Sequence, residues 1–467
     1  MVSRGNFLWG GVALGDREVQ YGLMALSTKQ QLRGTLSLAM PMVLGQVLGM
    51  SIGLVDAVMV GRGLGTTALA ALGLGVNTTF LVGLAGFGVA NAVSILVARA
   101  LGAGQVDEVA DYTRLGVLLG LVYGLFTVGV IAILIHSAHW FNYFGQVPDL
   151  IAEGADYALA YALSFAMALT VAPLRSSLEG RQQAWVGFAI LALAVVLNIF
   201  FNWVFIFGNL SLPEMGLLGA GLGSLLANTI ALVAFYAWLK HLRNQEPSKL
   251  VGFILPWGRL PGLIRMAVPI SIQISFEGST FVLAALIIGL LGSESLAAYH
   301  IAVQLASLAY MVPMGVGFAI AIRIGHAHGR KDTHAVRTIA FGTLLFLGSV
   351  GIMVGATMGL LRWQLPRIFS DDSVVVALAA GFLCFAALFQ VFDHIQVCAM
   401  SILRGLGDVN WPTGISLIGY WVIGLPVGTY LALRTPLAGN GIWVGLVLGL
   451  FMAALLLGWR VWRRLRL

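Results

Sequence analysis

Three carboxylates fall inside long apolar stretches of this chain. Glu277 stands near the middle of LIRMAVPISIQISFEGSTFVLAALIIGLL, residues 263–291, and Asp393 near the middle of ALFQVFDHIQVCAM, with His394 beside it. Asp56 lies toward one end of a third stretch, in IGLVDAVMVGRG. A charge at the centre of a bilayer costs roughly 2.5–3.5 kcal/mol on insertion scales, so a carboxylate held there is paired or put to use. No Lys or Arg falls at comparable depth in any apolar stretch, so static ion pairing is not expected. Nothing else in the stretch of Glu277 offsets its cost, which places its partner elsewhere in the chain. The chemistry that remains is reversible loading, in which an acid takes up a proton or a small cation and later gives it up.

Other polar residues extend that chemistry, each with a blander alternative. Asp56 is nearer an interface, where an acid is cheaper to hold. Asn198 and Asn202, in LNIFFNWVFIFG, are four apart and share a helix face. Two amide carbonyls and a carboxylate are hard oxygen ligands for a proton relay or a small cation; Asn–Asn helix packing is the alternative. Tyr310, in LASLAYMVPMG, is either a core aromatic or a π-face offered to a cation. His394 points about 100° away from Asp393 on a helix, and reads as a polar residue facing another helix. Cys384 and Cys398 would be about 20 Å apart along one helix, too far to bridge, and no Cys/His cluster has metal-ligand spacing.

The elements that carry these residues are membrane helices. Of 467 residues, 59% are hydrophobic and 10% charged, against about 25% charged in soluble domains. Apolar windows long enough to cross a bilayer, about 20 residues, recur along the chain. They predict an all-α polytopic membrane protein with twelve transmembrane helices, near 34–60, 68–98, 112–136, 152–174, 184–208, 216–240, 261–291, 297–325, 336–361, 374–402, 412–433 and 440–462. Residues 1–30 read as a disordered extension: Phe7 to Leu14 is too short to span, and Met24 competes with Met1 as the start. The net charge of +7 is spread over short loops rather than gathered in a patch, which argues against nucleic acid as a partner.

Those loop charges report orientation. Twenty Lys and Arg fall on the side of both termini and only Arg62, Arg362, Arg367 and Arg434 on the other, so both termini are expected in the cytoplasm. The polar connection 241–260 divides the spans six and six, into bundles over 31–240 and 261–467. The halves match at a shift of 225 to 228 residues: Pro41 with Pro269, Asn77 with Gln304, Gly88-Val89 with Gly315-Val316, Leu178-Glu179-Gly180 with Leu403-Arg404-Gly405, and Trp185 near Trp411. An even number of spans per half makes them parallel repeats, two six-helix bundles related by a pseudo-two-fold axis along the membrane normal. Two such bundles facing across a cleft form an alternating-access transporter. A channel would assemble from several chains, and an enzyme would show more catalytic polar residues. With no Walker motif, an ion gradient must supply the energy.

The LVDAVMVGRGLG end of the first span, LNIFFNWVFIFG in the fifth, VPISIQISFEGSTF in the seventh and FQVFDHIQVCAMSILRGLGD in the tenth resemble the MATE family of multidrug and toxic compound extrusion transporters, most of all its NorM-like bacterial branch. The resemblance covers about residues 30–460. It implies export of organic cations and amphipathic drugs in exchange for Na⁺ or H⁺, with no other cofactor, by a functional monomer in the bacterial inner membrane. It implies a C-terminal cation site at Glu277 and Asp393 with Tyr310 facing the cation, and Na⁺ as a candidate occupant of the two acids. It implies an N-terminal site at Asp56, Asn198 and Asn202, completed by the hydroxyl of Ser224.

The expected mechanism is antiport by competition. Charged Glu277 and Asp393 hold a cationic drug when the cleft faces the cytoplasm; Na⁺ or H⁺ neutralises them when it faces out. Each charge moved inward gains about 2.3 kcal/mol per 100 mV. Gln304, Met311 and Met314 are candidate substrate-wall residues, Met because it repacks easily, though core packing is the default for both methionines. The competing reading is a lipid-linked precursor flippase. An anionic headgroup would need basic residues in the cleft, and the spans are expected to lack them.

Overall fold

The computed structural model describes residues 27–136, 148–245 and 255–466, with backbone alone for 148–153 and 243–245. Expectations for the extension up to residue 26, including its disorder and its start, and for the centre of the 241–260 connection lie outside the described residues.

Among the described residues, twelve helices are long and apolar enough to span. They are α1 (Thr28–Gly63), α2 (Thr66–Gly102), α3 (Val106–His136), α4 (Pro148–Gly180), α5 (Ala184–Phe207), α6 (Gly216–Gln245), α7 (Leu260–Gly289), α8 (Ser293–Gly329), α9 (Thr333–Leu360), α10 (Ser373–Gly405), α11 (Asn410–Arg434) and α12 (Gly439–Arg466). Among the described residues there is no strand. All twelve predicted spans are present. The first starts earlier than expected, at Thr28, because Ser27 and Gln30 form a reciprocal capping box that satisfies free N–H groups of the first turn. Asp332 and Asp372 cap α9 and α10 in the same spirit. Gly208 ends α5 in the left-handed region that only glycine enters without strain.

Two helices are irregular where they approach the seam between the bundles or the buried acids. A single 3-10 turn, Leu84–Gly86, interrupts α2. A π-helical segment, Ile418–Gly424, interrupts α11; such bulges re-aim side chains and gather at functional sites.

The buried apolar clusters show how the bundles meet. Among the described residues, twelve spanning helices put the start of α1 and the end of α12 in one half of the molecule, the terminus side. In that half, one cluster joins Leu38, Ala39, Met42 and Ala98 to Ile320, Ile324, Leu347, Met400 and Leu457, crossing between bundles. A second joins Val93 and Val97 to Leu263, Met266 and Ile270. In the opposite half each cluster stays inside one bundle: Val60, Leu72 and Ile206 in one, Ile288, Phe382, Trp443 and Leu446 in the other. The bundles are therefore fused on the terminus side, and among the described residues no buried apolar cluster joins them in the opposite half. Repeat-related glycines allow the fusion. A side chain on Gly88 would lie 2.6 Å from the backbone nitrogen of Ser271, and one on Gly315 2.7 Å from that of Val43.

Candidate functional site

Glu277 sits midway along α7, half-buried, with polar groups from three helices converging on it. Gln273, one turn earlier on α7, donates Nε2 to Glu277 Oε1 at 3.0 Å. Gln396 of α10 donates to the same oxygen at 3.3 Å, and its own carbonyl accepts from the Tyr420 hydroxyl of α11 at 3.2 Å. The back of Gln273 is held as well: Arg404, the penultimate residue of α10, donates Nη2 to Gln273 Oε1 at 3.0 Å. Two sequence expectations are corrected here. A partner does come from Glu277's own helix, because Gln273 is four residues away and shares its face. A basic residue does reach comparable depth, because a long arginine stem extends inward from a helix end that the sequence places in a loop. The spans are thus not free of half-buried cations, and the objection this raised to an anionic headgroup loses its premise.

Asp393 is 4% exposed, and its Oδ2 has no hydrogen-bond partner. Desolvating a carboxylate without a partner is costly, so this oxygen is the clearest vacancy for a proton or cation. Glu277, Asp393, Tyr310 and Tyr420 interact electrostatically with one another, and Arg404 with Glu277 and Tyr310. The π segment lets successive residues of α11 both face inward. Tyr420 reaches Gln396, while Trp421 donates Nε1 to the Phe276 carbonyl at 3.1 Å and meets the Phe276 ring edge-on at 5.1 Å. His394 behaves otherwise. It is fully buried, its Nδ1 lies 2.8 Å from the Gln390 carbonyl, and its ring lies against Gly351 of α9.

A second constellation is enclosed in the first bundle. Asn202 of α5 donates Nδ2 to Asp56 Oδ1 at 2.5 Å, and the Ser224 hydroxyl of α6 lies 3.5 Å from Oδ2. Asn198 donates to Ser224 at 2.9 Å. All four are buried, so the cheap interfacial environment expected for Asp56 is not what surrounds it. Each asparagine spends its N–H inward and leaves its carbonyl oxygen buried without a partner. The Tyr157 hydroxyl of α4 is likewise unpartnered, and Tyr157 and Tyr161 both interact with Asp56. One carboxylate ringed by unspent oxygens is the donor set a hard cation needs.

The structure thus brings Asp56, Asn198, Asn202 and Ser224 into one hydrogen-bonded group, and sets Glu277, Asp393 and Tyr310 within electrostatic reach of one another. Gln304 is exposed, six residues from Tyr310 and on another face of α8; Met311 and Met314 are half-buried beside Tyr310. Gln273, Gln396, Arg404, Tyr420 and Tyr157 were missed. The spacings of Gln273 to Glu277 and Gln396 to Asp393 were available signals, since both are one helical turn. Cys384 and Cys398 are free, as their spacing requires, and no metal-binding group of His, Cys, Asp and Glu occurs among the described residues.

Comparison with known proteins agrees with this architecture. The MatE family model matches residues 41–204 and 269–430. The chain is similar to the "Probable multidrug resistance protein NorM" of Mesorhizobium japonicum, 35% identical over 395 residues, covering 82% of this chain and 83% of that protein. It is 30% identical to the "Multidrug resistance protein NorM" of Vibrio cholerae over 394 residues, covering 81% and 84%. Among solved structures, the eukaryotic MATE transporter AtDTX14 superposes with a TM-score of 0.85 at 19% identity, over 94% of this chain and 99% of that one. The Vibrio cholerae MATE transporter VcmN in its bent form gives 0.81 at 18% identity, over 94% and 98%.

Proposed function

The chain belongs to the MatE family, and from that premise we propose that it exports organic cations and amphipathic drugs by alternating access, in exchange for Na⁺ or H⁺. Its NorM-named relatives make it a multi-pass multidrug efflux transporter rather than an enzyme. In the proposed cycle, Glu277 and Asp393 form the site for which drug and coupling ion compete, with Tyr310 offering its face to a cation. Asp56, Asn198, Asn202 and Ser224 form a second cation site. Gln304, Met311 and Met314 line the substrate path, and no cofactor beyond the coupling ion takes part. The positive-inside distribution of Lys and Arg supports termini in the cytoplasm of a bacterial inner membrane, and the protein acts as a monomer.

The observation that carries this reading is the unpartnered Asp393 oxygen beside a second, half-buried acid. A group left that way is stable only when protonated or loaded. The apolar clusters that join the bundles support the same reading, since they put a dry seam on the terminus side of the sites. The test is efflux of a fluorescent cation from vesicles under an imposed Na⁺ gradient and, separately, a pH gradient. Stimulation by either, lost in Glu277→Gln, supports antiport. Efflux indifferent to both gradients overturns it and favours the flippase.

A further inference from the structure

The internal repeat reappears at the terminus-side seam as a pair of polar contacts. Arg99, near the end of α2, donates Nη2 to the carbonyl oxygen of Gly405, the last residue of α10, at 3.2 Å. His326, the counterpart of Arg99 near the end of α8, sets Nε2 2.8 Å from the carbonyl oxygen of Gly180, the last residue of α4. Gly180 and Gly405 are themselves repeat partners. Each contact thus joins the second helix of one bundle to the end of the fourth helix of the other. The backbones cross reciprocally too: a side chain on Gly102 would collide with the His326 carbonyl, and one on Gly329 with that of Arg99.

The last carbonyls of a helix lack intrahelical donors and carry its negative pole. Opening the terminus side strips both helix ends of their donors at once. We infer that Arg99 and His326 are paired latches, positioning residues that hold this side shut during transport without touching drug or ion. The latches differ in kind. Arginine keeps its charge at any working pH, whereas a carbonyl only accepts, so His326 needs one N–H on Nε2 and no charge. Two further hydrogen-bonded bridges, Arg323 to the carbonyl and side chain of Gln31 and Ser271 to the carbonyl of Ala85, have no repeat counterparts, since Leu96 and Val43 occupy the matching positions. The repeat thus singles out the pair.

The inference rests on the alternating-access reading for its purpose, but its test needs neither drug nor gradient. Ala98, fully buried in the seam, is changed to cysteine in the full chain carrying Cys384→Ser and Cys398→Ser. Labelling by an impermeant maleimide is then followed from the terminus side of vesicles. Arg99→Met and His326→Phe should each speed labelling about tenfold, the scale of a lost charged or buried hydrogen bond, and together more than either alone. His326→Gln, which keeps an N–H donor, should label close to the parent rate. Parent-rate labelling in both single variants with an unchanged melting temperature overturns the latches. So does His326→Gln labelling as fast as His326→Phe, a comparison that decides even where Arg99→Met fails to fold. Faster labelling in a protein that shows no gradient-driven efflux would leave the latches standing and the antiport reading fallen.

Discussion

Asp56 and Glu277 lie on the first helix of related bundles, yet neither falls on the other in the repeat. The positions matching Glu277 are Gly49 and Met50, and those matching Asp56 are Leu283 and Ala284. Six or seven residues of helix separate the two depths, about 10 Å at 1.5 Å per residue. Their surroundings differ in kind as well. Asp56 is closed in by neutral oxygens with no cation among its hydrogen-bond partners. Glu277 is wrapped by amide donors, shares its region with a second acid and is backed by Arg404 through Gln273. Duplication kept the framework and the seam while the buried chemistry of the halves diverged. The first bundle encloses one acid among neutral side chains; the second sets a half-buried acid near a buried one.

Substitutions test whether the two regions divide the work in this way. The largest effect is expected from Glu277→Gln, which should lower gradient-driven efflux of a fluorescent cation by roughly 100-fold, the upper range of coupling between sites. An equal loss in Asp56→Asn under every gradient would erase the distinction. Next, Na⁺ at about 100 times its dissociation constant should stabilise the protein by about 2.7 kcal/mol. That stabilisation, read as a melting shift in detergent, should fall in both Asp56→Asn and Glu277→Gln, since each bundle is proposed to hold a cation site; a shift untouched by one of them would remove that bundle's site. Gln273→Leu and Arg404→Gln should each reduce efflux about fivefold, and the double variant should be no worse than the poorer single, because both break one chain of contacts. Fully additive losses would separate Arg404 from Glu277. The smallest effect belongs to Ser224→Ala, which should weaken Na⁺ binding by about 1 kcal/mol, the net worth of one hydroxyl hydrogen bond. No change in a Na⁺ titration would remove Ser224 from the Asp56 site.

What the sequence disclosed follows the physics of the bilayer. An apolar span needs no context to be recognised, because composition alone decides whether a segment can leave water, and all twelve were legible. The acids were legible for the complementary reason: a carboxylate in such a segment stands out against its neighbours. What remained hidden were partners whose types are unremarkable in sequence. Gln273 and Gln396 matter only through where their amides point, and Tyr420 only because a π turn re-aims it. Arg404 was hidden by reach, since its backbone belongs to a helix end while its guanidinium works a turn or more inside. Asp56 shows the same limit, as distance along a helix measures depth but not enclosure.

The division of the apolar clusters has a thermal consequence. The seam that unites the bundles is built from aliphatic side chains such as Met42, Ile320, Ile324 and Ile270, so in the proposed alternating-access cycle opening that side wets the surface. Hydrating apolar area raises heat capacity. Turnover limited by this step should therefore bend away from a straight Arrhenius line as temperature changes, where a proton or ion transfer at a fixed site would not.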